Sequence, residues 1–458
     1  MKWNKNKSLS LYCLTLLALS IGCKQEKQSE ETASTPPNII FIMADDLGYA
    51  DLGAYGQELI QTPNIDRLAR EGVMFTQVYA GNTVCAPSRS VLMTGKHMGH
   101  TTVRGNSSPL VQSDENPQGR VPLLEEDVTV AELLKDAGYV TGMTGKWGLG
   151  EPGTTGIPTR QGFDEWFGYL NQRRAHNYYT DYLWKNEIKY PIPENEGGQE
   201  EIYSHDLFTD FALDFIETNK DTSFFLYIPY TIPHDEYEVP DTAPYNEKDW
   251  EENEIIYAAM VSRMDRDVGR IMQSLRDLKI DENTILFFCS DNGAAQRWEG
   301  RFDSSGNLRG RKRDMYEGGL RTPMIVHYPG QLQPRTDSSA VWYFADVLPT
   351  LTHIAGTQTP SEVDGINVWP AISGQESLPA DRFLYWEFYE RGFQRAVRWK
   401  DWKAILPGVG QQWELYNLEE DEGEENNIAA QHPEVINTIK DWVEDNTTES
   451  QYWSASTQ

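Results

Sequence analysis

The feature that most constrains this chain is a series of five short apolar runs: NIIFIMADD, YVTGMTGKWG, SFFLYIPYTIPH, NTILFFCSDNG and TPMIVHYPG. Unbroken apolar runs of this length read as strands buried on both faces, the condition of a parallel sheet. Helical patterns lie between them. DVTVAELLKDAG has Thr129 as N-cap and Gly138 as its stop. SHDLFTDFALDFIETN repeats Leu207, Phe211 and Phe215, and MVSRMDRDVGRIMQSLRDL spaces Met260, Met264, Val268, Ile271, Leu275 and Leu278 at helical intervals. Such stripes are core packing. Strands alternating with helices predict an α/β fold: a large mixed, mostly parallel sheet sandwiched by helices.

Four of the runs stop on residues that can do chemistry. They end at Asp45-Asp46, Lys146, His234 and Asp291-Asn292. Function in open α/β sheets gathers at the carboxyl ends of the strands, so these groups should meet on one edge. An acid at a strand end is ordinary in itself, since acids favour turns; four such ends together point to a site. Asp45, Asp46, Asp291 and Asn292 are hard oxygen donors, which favour calcium or magnesium over zinc. The basic run RWEGRFDSSGNLRGRKRDMYEGG supplies Arg297, Arg301, Arg309, Arg311, Lys312 and Arg313. With Lys146 and Arg89 it suggests a pocket for a compact anion, and Gly318-Gly319 suggests a backbone turn at close quarters.

From about residue 356 the pattern changes. RFLYWEFYERGFQRAVRWKDWKAILPG and QWELYNLEED read as short antiparallel strands, and PEVINTIKDWVED as a closing helix. The expected organisation is a signal over 1–23, a tether over 24–37, a catalytic domain over 38–355 and a smaller C-terminal α+β subdomain over 356–458. The tail NTTESQYWSASTQ is expected to be poorly ordered.

The first residues, MKWNKNKSLSLYCLTLLALSIGC, combine a Lys-rich start, an apolar run and a small residue before Cys23. This pattern is a secretory signal similar to those of bacterial lipoproteins, with Cys23 as the lipidated residue. It predicts an exported protein of a Gram-negative envelope, periplasmic or anchored at the outer membrane by lipid alone. A formal net charge of −30 argues against nucleic acid as a partner. Of four cysteines, only Cys85 and Cys289 fall in the body, and Cys289 reads as a core residue.

Cys85 stands in GNTVCAPSRSVLMTGKH, at the start of a helical pattern. The run CAPSRSVLMTG resembles the C-x-P-S-R-x-x-x-x-T-G motif of the formylglycine-dependent sulfatases of the alkaline phosphatase superfamily. TGKWG, the PH of TIPHDEY, SDNG and LRGRKRDMYEGGLRTP match further blocks of that family in order, along nearly the whole mature chain. The resemblance implies that a maturation enzyme converts Cys85 to formylglycine. Its hydrated aldehyde would attack the sulfur of a sulfate ester through one hydroxyl and expel sulfate through the other. It implies calcium rather than magnesium, with Asp45, Asp46, Asp291 and Asn292 as ligands beside Cys85. Arg89 would support the formylglycine, Lys146 and Lys312 would grip sulfate oxygens, and His234 would protonate the leaving group.

One position departs from the family. Many members read G-K-W-H-L-G, whereas this chain has Gly148 in place of the histidine; His176 is the candidate to serve instead. The expected activity is a sulfuric ester hydrolase acting on a sulfated oligo- or polysaccharide. Arg104, Asn106, Arg173, Arg174 and His176 are candidate sugar contacts, and the aromatics of HNYYTDYLWKNE are candidate stacking surfaces. Two other readings are a phosphodiester or phosphonate ester hydrolase of the same superfamily and a non-enzymatic binding protein.

Overall fold

The computed structural model describes residues 36–455. The signal and all but the end of the tether lie outside them. Eleven strands form one sheet: β1 (Asn38–Ala44), β2 (Val73–Tyr79), β3 (Val140–Lys146), β4 (Glu165–Tyr169), β5 (Tyr182–Lys185), β6 (Ile188–Pro191), β7 (Phe224–Pro229), β8 (Thr284–Ser290), β9 (Arg321–His327), β10 (Arg335–Asp337) and β11 (Trp342–Tyr343). Four more form a separate antiparallel sheet: β12 (Phe383–Phe388), β13 (Gln394–Trp399), β14 (Trp402–Leu406) and β15 (Glu414–Asn417). The helices are α1 (Pro63–Glu71), α2 (Cys85–Thr94), α3 (Val130–Asp136), α4 (Ser204–Asn219), α5 (Glu252–Leu278), α6 (Glu317–Leu320), α7 (Val347–Ile354), α8 (Trp369–Ile372) and α9 (Pro433–Asp445).

The large sheet runs β10-β2-β9-β8-β1-β7-β3-β4-β5-β6, with β11 also on β2. Its centre, β8-β1-β7-β3-β4, is parallel throughout. β1 is buried along its whole length. Its alternate residues Ile39, Phe41 and Met43 enter one apolar layer, and Ile40, Ile42 and Ala44 the other. One layer is filled by α5 through Met260, Met264, Val268 and Ile271. The other continues into the four-stranded sheet through Trp386 and Val397 and into α9 through Ile439. α3 begins as expected: Thr129 Oγ1 accepts from Glu132 N at 3.3 Å while Thr129 N donates to Glu132 Oε2 at 2.8 Å.

Three features differ from expectation. β9 runs antiparallel to both β8 and β2. Between β8 and β9 only the four-residue α6 is helical, so nothing carries the chain across the sheet and it re-enters from the edge it left. In α4, Phe208 and Ala212 are buried alongside Phe215, while Leu207 and Phe211 only border the core. The C-terminal tail packs back: Trp453 is 3% exposed and its Nε1 donates to Thr102 O at 2.9 Å. A Cβ on Gly105 would stand 2.7 Å from that indole, so the glycine makes room for it.

Candidate active site

The sheet topology does what the strand ends promised. Asp45 and Asp46 follow β1, Lys146 closes β3, and Asp291 and Asn292 follow β8, all at the carboxyl edge and all buried. The loop after β7 adds His234. Tyr178 steadies that loop by donating its hydroxyl to Thr231 O at 3.1 Å and His234 O at 2.8 Å. The loop between β8 and β9 adds Lys312, and α2 presents Cys85 at its first turn.

The helix run CAPSRS reads as a set of attachments. Pro87 sits in the first turn, where a missing N–H costs nothing. Ser88 Oγ donates to Asp291 O at 2.5 Å and accepts from Gly81 N at 3.1 Å. Arg89 is fully enclosed: Nη2 and Nε donate to Asp291 Oδ2 at 2.8 and 3.2 Å, and Nη1 donates to Lys146 O. One arginine thus clamps helix α2 to the ends of β8 and β3, and Gly95, with φ +68, ends the helix.

Three carboxylates crowd one buried point. Asp46 is held at φ +64, which turns its N–H onto Asp291 Oδ1 at 3.1 Å. Burial, then the neighbouring Asp45, push the Asp291 carboxyl up to about 6. Asn292 Nδ2 donates to Asp46 Oδ1 at 2.7 Å, leaving its buried Oδ1 without a hydrogen-bond partner. An orphaned amide oxygen beside mutually repelling carboxylates fits a hard divalent cation.

Cys85 lies against this group. Cys85 Sγ is 3.3 Å from Asp45 Oδ1, and burial followed by the Asp45 charge push the thiol up. Lys146 Nζ donates to Asp45 Oδ2 at 2.6 Å, and Lys312 Nζ to Asp46 Oδ2 at 2.6 Å. Burial would raise the Asp45 carboxyl; Lys146 first, then His234, Arg89 and Lys312, hold it well below the usual range. Lys312 Nζ also lies 3.0 Å from His234 Nε2. An ammonium only donates, so Nε2 accepts and the imidazole proton sits on Nδ1, 2.5 Å from Asp235 Oδ1. Sequence reasoning passed over Asp235 because an acid after a histidine in a loop carries no pattern.

Gly148, where many sequences of the resembling family have histidine, has φ +79. A Cβ there would lie 2.5 Å from Gln172 Nε2, so the Gln172 side chain takes that space. His176 instead stacks on His234 with ring centroids 3.7 Å apart. Burial, then Lys146 and His234, push the His176 imidazole down to about 2, which disfavours its charged form beside the His234 ring.

Two candidate sugar contacts are corrected. Arg104 donates to Gly99 O at 2.8 Å, Thr448 O at 3.0 Å and Thr101 O at 3.1 Å, fastening the tail instead of facing a ligand. Arg174 pairs with Asp181 and lies 3.5 Å over the Tyr182 ring. Asn106 does reach the site, its Oδ1 accepting from Ala86 N at 3.0 Å, and Arg173 is exposed nearby. Of the basic run, Lys312 enters the site. Arg297 and Arg309 bond carbonyls, Arg301 bonds Glu254, and Arg311 bonds Gln296.

The family model "Sulfatase" matches residues 37–357, and the model "N-sulphoglucosamine sulphohydrolase, C-terminal" matches residues 310–449. The chain is 33% identical over 374 residues to the N-acetylgalactosamine-6-sulfatase of Canis lupus familiaris, covering 77% of this chain and 69% of that protein. It is 29% identical over 514 residues to the N-acetylglucosamine-6-O-sulfatase of Bacteroides thetaiotaomicron, covering 92% and 87%. The crystal structure of Ps i-CgsB in complex with k-i-k-neocarrahexaose superposes with a TM-score of 0.78 at 29% identity, covering 92% of this chain and 96% of that one.

Proposed function

This chain belongs to the sulfatase family and is a sulfuric ester hydrolase; from that premise we propose that it removes sulfate from a sulfated carbohydrate, using a formylglycine made from Cys85 and a bound calcium ion. The observation that carries this reading is the placement of Cys85 Sγ 3.3 Å from Asp45, within a ring of Lys146, Lys312, Arg89 and His234. Relatives named as sugar sulfatases support the carbohydrate assignment.

Asp45, Asp46, Asp291 and the free oxygen of Asn292 would hold the calcium, which when bound supplies a positive centre for sulfate oxygens and for an ionised hydroxyl. Formylglycine supplies a geminal diol, one hydroxyl to attack sulfur and a second whose ionisation releases the sulfate. Lys146 and Lys312 neutralise the sulfate oxygens, and Arg89 holds the helix that aims the nucleophile. As the S–O bond to the sugar breaks, His234 gives the sugar oxygen a proton from Nε2, one it receives from the Lys312 ammonium 3.0 Å away. Asp235 keeps the imidazole oriented for that transfer.

The test is release of free sulfate from a panel of sulfated mono- and oligosaccharides, by matured enzyme and by Cys85→Ala. Release by the parent and none by the variant is expected; equal release by both would overturn the proposal.

A further inference from the structure

Beside the nucleophile lies a cleft of about 650 Å³ whose charge runs against the rest of the chain. The whole sequence carries −30, yet this cleft is lined by Arg120, Arg173 and Arg313 against one acid, Glu390. That volume lies within the ~300–1,000 Å³ typical of ligand sites. None of its lining residues is aromatic, so sugar rings are not held here by stacking.

Glu390 is shared between the arginines and the backbone. Its Oε1 accepts from Asn106 N at 3.0 Å, and its Oε2 stands 3.7 Å from Arg313 Nε. Arg120 spends Nη1 on Asn106 O and Nε on Gln118 Oε1, the latter at 3.2 Å. The Arg173 guanidinium donates to no group among the described residues; its backbone N–H is engaged with Asn171 Oδ1 at 2.9 Å and its carbonyl accepts from His176 N at 3.4 Å. Burial first disfavours the Arg120 charge, Glu151 and Glu390 favour it, and Arg173 adds a smaller repulsion. Surface arginines usually find carboxylates, and a chain with 70 Asp and Glu offers many. A cluster left short of them is arranged for an anion from outside.

The cleft joins the reaction centre through short covalent and hydrogen-bonded steps. Asn106, in its wall, accepts from the N–H of Ala86, next to Cys85. Arg313 follows Lys312, whose ammonium is on Asp46. Arg173 follows Gln172, which fills the space over Gly148 and lies 3.5 Å from Asn106 Oδ1. A sugar whose ester sulfur sits at Cys85 therefore has the arginine cleft within reach of its other substituents.

We propose that this cleft is an anion subsite, in which Arg120, Arg173 and Arg313 take a second acidic group, a sulfate ester or a uronate carboxylate, on the sugar bearing the scissile sulfate or on its neighbour. The inference rests on the hydrolase reading above and narrows it: the substrates are polyanionic oligosaccharides. Arginine suits both acids, since each offers two oxygens to one planar fork.

The test uses matured full-length enzyme and tetrasaccharides on one backbone carrying one sulfate, two sulfates, or one sulfate and one uronate. The parent should show kcat/KM roughly tenfold or more higher on at least one doubly anionic sugar, through KM, and the advantage should shrink with added salt. Preference for only the disulfated sugar assigns the subsite to sulfate; preference for the uronate assigns it to carboxylate. Arg173→Gln should bring the ratio of doubly to singly anionic sugars toward one, and Arg173→Lys should restore part of it. A parent ratio near one, or a ratio unchanged in Arg173→Gln, overturns the subsite. Calorimetric binding of the same sugars separates this from the hydrolase reading. Tighter binding of doubly anionic sugars that Arg173→Gln abolishes upholds the subsite even if no sulfate is released, an outcome that would count against the hydrolase reading alone.

Discussion

Lys146→Met is the most informative single change, because it removes a charge and keeps the stem. The ammonium is completely buried, 2.6 Å from an equally buried Asp45 carboxylate. Two effects follow. Breaking a buried ion pair by deleting one partner costs about 3–5 kcal/mol. Here the lower end applies, because Arg89 Nη2 remains 3.6 Å from Asp45 Oδ1. At ~2.1 cal/mol/K of unfolding entropy per residue, a loss of ~3 kcal/mol lowers Tm by only a few degrees in a chain this long. Deleting one preorganised donor from a developing anion costs about 10²–10³ in kcat, or ~3–4 kcal/mol of transition-state stabilisation. Catalysis should therefore collapse while the fold persists. The assay is kcat/KM from released sulfate, with Tm measured on the same preparation. A folded variant whose kcat/KM stays within about threefold of the parent would refute the placement of Lys146 on the sulfate, since a donor lost from the transition state must cost far more.

Three further outcomes are expected. Chelation by EDTA should abolish sulfate release, and calcium should restore it better than magnesium; activity that survives exhaustive chelation would remove the ion from the account. Lys403 Nζ lies 2.8 Å from Glu317 and 3.0 Å from Glu424, all buried, so Lys403→Met should cost ~3–5 kcal/mol in chemical denaturation, and an unchanged midpoint would refute that pairing. Burial, against the pull of Asp364, pushes the His97 imidazole down from 6.5 to about 4. Its contribution is complete above pH 6.5 and is lost as pH falls through about 4, because the unfolded chain takes up the proton first. At ~1.4 kcal/mol per unit, His97→Gln should spare the protein about 3 kcal/mol of acid-side loss, read as a flatter Tm between those pH values; parallel Tm curves would contradict it.

The central strands and the residues at their ends were legible in the sequence because burial on both faces leaves a plain apolar signature. The motif around Cys85 was legible too, and its Ser88 and Arg89 acquire a physical reason only from Asp291, more than 200 positions away. What was not legible depends on such distant pairings. Arg104 looks like any loop arginine until Thr448 and Glu387 come to it across the fold. The direction of β9 depends on a crossing that the loop before it fails to make. Trp453 sits in a polar tail, and its burial depends on the space left by Gly105. Gln172 and Asp235 carry no motif; each is found only by asking what fills the gap over Gly148 and what holds Nδ1 of His234.

The central claim concerns the chemical state of one residue. Mass spectrometry of the peptide spanning Cys85, from protein purified out of its native host, tests it most directly. The account predicts the mass of an aldehyde in place of the thiol, together with its hydrate. A peptide carrying only unmodified cysteine, in a preparation that still releases sulfate, would contradict it.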